Sequence, residues 1–120
     1  MIGPGFAFRS ARPPYSTEHL YIVISPVIEE KVLFVNVTTR TPVKDATCVL
    51  RKGDHPFIRH ESVINYVDAV EAEVCRMREA IERKLFKPHD ALTPALLKKI
   101  QDGALASPAF KPKFKKYIPK

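Results

Sequence analysis

The sequence predicts one small α+β domain, with strands in its first half, helices in its second and a basic tail at its end. Three observations predict it. Apolar and β-branched residues cluster in strand-sized runs up to about residue 65. Beyond that point apolar residues recur at spacings of three and four, the period of a helix. Residues 111–120 carry five lysines and no acidic residue. With 120 residues, 45% of them hydrophobic, the chain has material for one core and hardly two. The domain is therefore assigned to residues 1–110 and the tail to residues 111–120.

Residues 1–18 contain Gly3, Pro4, Gly5, Pro13, Pro14, Ser16 and Thr17, and read as loop with a short strand at 6–8. Residues 19–25, HLYIVIS, are dense in β-branched and aromatic side chains and stop at Pro26, which has no N–H for a ladder. A polar hairpin at 29–31 leads into residues 32–38, VLFVNVT, a second strand expected to pair antiparallel with the first. Thr41-Pro42 makes a break. Residues 47–50 form a third short strand, ended by the turn signature Arg51-Lys52-Gly53-Asp54. Residues 55–62, HPFIRHES, are too mixed for a core strand and read as a loop or an edge strand.

Val67, Val70, Val74, Met77, Ile81 and Leu85 then fall on one face of a long amphipathic helix over about 66–86, with Glu79 and Arg83 at a helix-supporting spacing. Thr93 is a good N-cap before Pro94, and Gly103 suits a C-terminal stop. A short helix over about 94–102 follows, with Leu96, Leu97 and Ile100 on its buried side.

No run approaches the roughly 20 apolar residues of a membrane span, so no membrane association is expected. The first twelve residues lack a basic region followed by a long apolar segment, which argues against a secretion signal. Cys48 and Cys75 form no metal-binding spacing and are expected as reduced, buried thiols of a cytoplasmic protein, a disulfide between them being the alternative. There is no GxGxxG, GxxxxGK[ST] or GxSxG, and no cofactor is expected. The net charge of +7 is uneven: eight basic against six acidic residues over 1–65, seven against seven over 66–110, and the five lysines of the tail. Those lysines, interleaved with Phe110, Phe114 and Tyr117, form either a phosphate-binding arm or a solvated tail whose aromatic residues pack back on the domain.

Candidate chemistry concentrates in the β half. His19 opens the first strong strand, His55 and His60 bracket the proline-containing loop, and His89 stands apart as an ordinary linker residue. Histidine titrates near neutral pH, so His19 and His60 could act as base and acid on a phosphodiester with the RNA 2′-hydroxyl as nucleophile. Thr38 or Thr39, Ser62 and Arg59 are placed to hold the phosphate or the developing charge. His55, Lys113, Lys115 and Lys116 are further candidates for substrate binding. The plainer alternative is that His60 and Ser62, two apart on a strand, share a face and bond each other or the backbone. Asp54, His55 and His60 could also bind a metal, but they lack an HxH or HxxxH pair, so no metal is expected.

In order and spacing, residues 19–25 (HLYIVIS), 35–39 (VNVTT) and 62–64 (SVI) resemble strand motifs of the MazF/PemK/Kid family of toxin endoribonucleases. Those motifs are a basic-Pro-Ala-Leu-Val-Leu-Ser strand, a strand ending in Thr-Ser and a later Ser-Val-Val strand. The resemblance spans about residues 5–70. It implies an SH3-like β-barrel with added helices, metal-independent cleavage of single-stranded RNA, a homodimer and control by an antitoxin protein. The family's catalytic threonine or serine falls on Thr38, and its catalytic arginine falls on His19. That departure exchanges a permanent cation for a titrating group, and implies either histidine-based chemistry or loss of catalysis. Residues 53–60 have no counterpart in the family and are expected to supply replacement chemistry or bind a partner. The alternative function is a non-catalytic barrel module that binds nucleic acid or a protein.

Overall fold

The computed structural model describes residues 1–11 and 16–119. Pro13 and Pro14 of the first loop, with Arg12 and Tyr15, and Lys120 of the tail lie outside the described residues. Among the described residues six strands form one antiparallel sheet that curls into a half-barrel: Ala7–Ala11 (β1), Glu18–Val23 (β2), Lys31–Thr39 (β3), Val49–Leu50 (β4), Ser62–Glu73 (β5) and Lys87–His89 (β6). Their spatial order is β4-β5-β3-β2-β1-β6. Two helices, Val74–Glu82 (α1) and Pro94–Ala106 (α2), and a 3-10 turn at Pro112–Tyr117 are the other regular elements among the described residues. Among the described residues no helix is long and apolar enough to cross a membrane.

Alternation along β2 and β3 divides two cores. Leu20, Ile22, Leu33, Val35 and Val37 pack with Leu96, Ile100 and Ala104 of α2 on one face. Val23, Val32 and Phe34 pack with Phe8, Val74 and Met77 on the other, under α1. The β2–β3 connection is tight. Ile28 bridges to Lys31, and Glu29 and Glu30 both take left-handed conformations, at φ 49° and 65°, the geometry that matches strand twist in a two-residue hairpin.

The long helix expected over 66–86 is not formed: its first part is the second half of β5, and α1 occupies only Val74–Glu82. The cause lies in the β3–β5 register, where Phe34 faces Val70 but Asn36 faces Asn65. This shift interrupts the two-residue alternation, putting Tyr66 and Ala69 in the first core and Val70 and Ala72 against the second. Spacings of three thus arise inside a strand. Strand β1 also extends past the expected 6–8, and β6 was not anticipated.

The N-terminus of α2 forms as expected, the Thr93 hydroxyl accepting from the Leu96 N–H at 3.2 Å. The helix runs through Gly103, however, to Ala106. Gly103 is needed for packing instead: a Cβ there would lie 2.2 Å from the Tyr66 hydroxyl oxygen, which donates to the Ile100 carbonyl at 2.8 Å. Cys48 is a buried free thiol, as expected, whereas Cys75 is free but exposed on α1. Phe110, Phe114, Tyr117 and Ile118 are buried in the first core, while Lys111, Lys113, Lys115 and Lys116 stay exposed.

The half-barrel leaves β4 and β6 as its two edges. His55, in the loop after β4, reaches the segment after β6, with its Nε2 2.7 Å from the Asp90 carbonyl. Its Nδ1 accepts from the Phe57 N–H at 3.0 Å, and its ring lies 5.0 Å from that of His89. His55 therefore clasps the open side of the sheet.

Candidate functional site

Where the β2–β3 ladder ends, the loop between β4 and β5 folds over the strand ends and leaves a cleft of about 260 Å³. Its lining includes His19, Thr38, Thr39, Arg59, His60 and Ser62, which come from three separate parts of the chain. The last ladder pair is Tyr21 with Asn36, and just beyond it Nδ1 of His19 lies 3.2 Å from the Val37 carbonyl. A carbonyl can only accept, so Nδ1 carries the proton. In the neutral ring Nε2 then holds a lone pair.

His60 is exposed, and its Nε2 is 2.9 Å from the Thr39 hydroxyl. Ser62 is buried and donates to the His60 carbonyl at 2.9 Å, which fixes the backbone from which His60 projects. The Lys44 ammonium donates to the Thr38 hydroxyl oxygen at 2.9 Å and to the Thr39 carbonyl at 3.0 Å. With one lone pair of Thr38 taken by Lys44, its hydroxyl proton is free to turn toward a ligand oxygen.

The two glutamates that border the cleft, Glu18 and Glu61, are paired with cations. Glu18 binds Arg9 at 3.2 Å and Lys87 at 3.1 Å, and Glu61 binds Arg40 at 2.8 Å with Arg51 at 3.8 Å. Such exposed pairs add little stability, but they offset negative charge that would repel a phosphate. Arg59 lines the cleft and also the neighbouring hollow beside Lys52 and Gly53, which extends the basic surface.

Two groups of sequence candidates lie elsewhere. His55 is only 3% exposed and both its ring nitrogens are occupied, so it has none left for a substrate. Asp54 is used in its own turn, accepting from the Arg51 N–H at 2.8 Å. Among the described residues no group of three His, Cys, Asp or Glu side chains converges as a metal-ligand set. Lys113, Lys115 and Lys116 sit on the 3-10 turn, whose Tyr117 hydroxyl bonds the Glu71 carboxylate. Glu71 faces Leu33 near the start of β3, and Thr38 is five residues further on, roughly 17 Å along the strand. The Tyr117 hydroxyl, helped by Lys31, Lys116 and Lys113, holds the Glu71 carboxyl below its usual range. Burial and the Glu71 charge push the Tyr117 phenol up to about 12.

Sequence reasoning missed Lys44. Its only signal was the Thr41-Pro42 break, which turns the chain back so that Lys44 meets Thr38. No protein-family model matches this chain, and no curated protein matches it.

Proposed function

We propose that this protein is an endoribonuclease of the toxin–antitoxin type, an SH3-like barrel that cleaves single-stranded RNA without a metal or cofactor. One observation carries the reading: His19 and His60 line the same cleft as Thr38, Thr39, Arg59 and Ser62. The resemblance of residues 19–25, 35–39 and 62–64 to the MazF/PemK/Kid strand motifs points the same way, and brings with it an antitoxin partner and a homodimer.

The chemistry follows from the hydrogen bonds. With Nδ1–H held by the Val37 carbonyl, His19 Nε2 takes the proton of an RNA 2′-hydroxyl. The 2′-oxygen attacks the adjacent phosphorus and the bond from phosphorus to the 5′-oxygen breaks. His60 in its protonated form gives a proton to that leaving oxygen. The products are a 2′,3′-cyclic phosphate and a 5′-hydroxyl. Thr38, oriented by Lys44, and Arg59 bind the non-bridging oxygens, whose negative charge grows in the transition state. Histidine thus takes over at the position where the family has arginine, acting by proton transfer in place of a fixed charge.

Purified protein incubated with a long mixed-sequence RNA in excess EDTA tests this. Fragments ending in cyclic phosphate are expected from the wild type and not from His60→Ala. Intact RNA that is nevertheless bound would assign the chain to the non-catalytic binding modules.

A further inference from the structure

On the sheet face under α1 a second hollow opens, of about 320 Å³, lined by Phe8, Ser10, Tyr21, Phe34, Val70, Leu85 and Phe86 with Ala11. Its volume is at the small end for ligand pockets, room for little more than one ring system. The lining is aromatic in an ordered way. Phe8 stacks on Tyr21 at 5.2 Å and 10°, and on Phe86 at 4.3 Å and 23°. Phe34 stands edge-on to Phe8 and Tyr21 at 83° and 90°. Among the described residues, Ser10 and Tyr21 are the ones that bring polar side-chain atoms to the lining. Leu85 is 59% exposed at its edge, which places an uncovered apolar side chain on the surface.

The hollow adjoins the cleft. Ser10 pairs with His19 across β1 and β2, and Tyr21 is the next residue of β2 on the face that carries the His19 side chain. One strand step of roughly 7 Å therefore separates the backbone of Tyr21, in the aromatic stack, from that of His19. That is the order of spacing between a phosphate and the base of a flanking nucleotide.

We propose that this aromatic hollow is a nucleobase subsite, which holds one unstacked base of the RNA strand whose phosphate lies at His19. The assignment rests on the endoribonuclease reading and extends it to how the substrate is gripped. A planar ring continues the stacked and edge-on pattern already present, and every base offers a face to it, so the subsite favours single strands over duplexes. The Tyr21 hydroxyl can donate to or accept from a base edge, while the Ser10 hydroxyl, which donates to the Leu85 carbonyl at 2.9 Å, keeps only its lone pairs for a base donor. Few cationic side chains are needed there, because the phosphate is met in the cleft.

The test measures binding of a short single-stranded oligonucleotide with 2′-deoxy sugars, which cannot be cleaved by the 2′-hydroxyl route. The same oligonucleotide with one abasic position, moved along the strand, is the comparison. Wild type should bind the intact strand about 5- to 150-fold tighter than the worst abasic strand. Leu85→Asp, at an exposed position where folding is undisturbed, and Tyr21→Ala should remove that difference, while His60→Ala should keep it. Equal binding of intact and abasic strands by a wild type that cleaves RNA would overturn the subsite and leave the nuclease reading standing. Failure of the wild type both to bind either strand and to cleave RNA would overturn both.

Discussion

His55 and His60 stand in one loop between β4 and β5, yet they serve different parts of the molecule. His55 is buried, with its Nε2 toward the Asp90 carbonyl and its Nδ1 accepting from Phe57, so its imidazole joins the two free edges of the half-barrel. His60 is exposed beside Arg59, with one ring nitrogen at the Thr39 hydroxyl and its backbone steadied by Ser62. The difference teaches that two histidines of one loop are told apart by what the fold leaves their nitrogens to do: both of His55 are occupied inside the scaffold, and His60 is the one open to the chemistry proposed above. Mutations at the clasp should act on stability first, and mutations at the cleft on chemistry alone.

The largest expected effect is at the cleft. His60→Ala and His19→Ala should each lower RNA cleavage by about 100- to 10,000-fold, the usual contribution of a general acid or base. His60 is exposed, and its loss should move the melting temperature by no more than about 2 °C. Cleavage time courses beside thermal melts read both quantities. Comparable loss of melting temperature and activity in His60→Ala would merge the two regions that are here held apart.

At the clasp, His55→Ala strands the Phe57 N–H and the Asp90 carbonyl and opens the seam between the sheet edges. A cost of about 2–4 kcal/mol is expected, measured by urea unfolding. Any fall in cleavage should then follow the fraction of unfolded protein.

A smaller change of opposite sign is expected at the end of α1. Lys84 has φ 62°, and the Lys84 and Leu85 N–H groups bond the carbonyls of Ile81 and Ala80 at 3.0 and 2.9 Å, a Schellman ending that favours glycine. Lys84→Gly should stabilise by up to about 1 kcal/mol in urea unfolding, with cleavage unchanged.

The smallest effect concerns pH. The Tyr117 hydroxyl holds the folded Glu71 carboxyl below its unfolded value. This contribution is present above the ordinary glutamate pKa near ~4.3 and is lost as the pH falls through the depressed folded value. Tyr117→Phe should therefore flatten the acid limb of stability against pH, read by melting from neutral pH into the acid range, without altering cleavage at neutral pH.

Much of the fold was legible because its signals are local. The runs at 19–25 and 32–38, the hairpin between them, the turn around Gly53 and the Thr93 cap each state themselves within a few residues. The helix expected at 66–86 failed for a reason no local window holds. A shifted register against β3 lets Tyr66, Ala69 and Val70 mimic helical spacing while they lie in a strand. Strand β6 was illegible as well, since Lys87-Pro88-His89 carries no strand pattern and is shaped by pairing with β1.

Within the cleft, His19, Thr38, Thr39, Arg59, His60 and Ser62 were nameable from their placement at strand ends and in one loop. His55 could not be told apart from His60, because the atom that engages it belongs to Asp90, far along the chain. Lys44 was hidden for the same kind of reason, since its worth lies in its contact with Thr38. The tail was readable either as a phosphate-binding arm or as a solvated tail whose aromatic residues pack back, and Phe110, Phe114 and Tyr117 do pack on the domain, with the Tyr117 hydroxyl at Glu71.

The central claim is that the cleft of His19 and His60 performs chemistry that the clasp of His55 only supports. Its most direct test is cleavage of single-stranded RNA in excess EDTA by the wild type, His60→Ala and His55→Ala, each assayed well below its own melting temperature. The account predicts fragments from the wild type and from folded His55→Ala, and none from folded His60→Ala. Fragments from His60→Ala at the wild-type rate, or intact RNA with all three proteins, would contradict it.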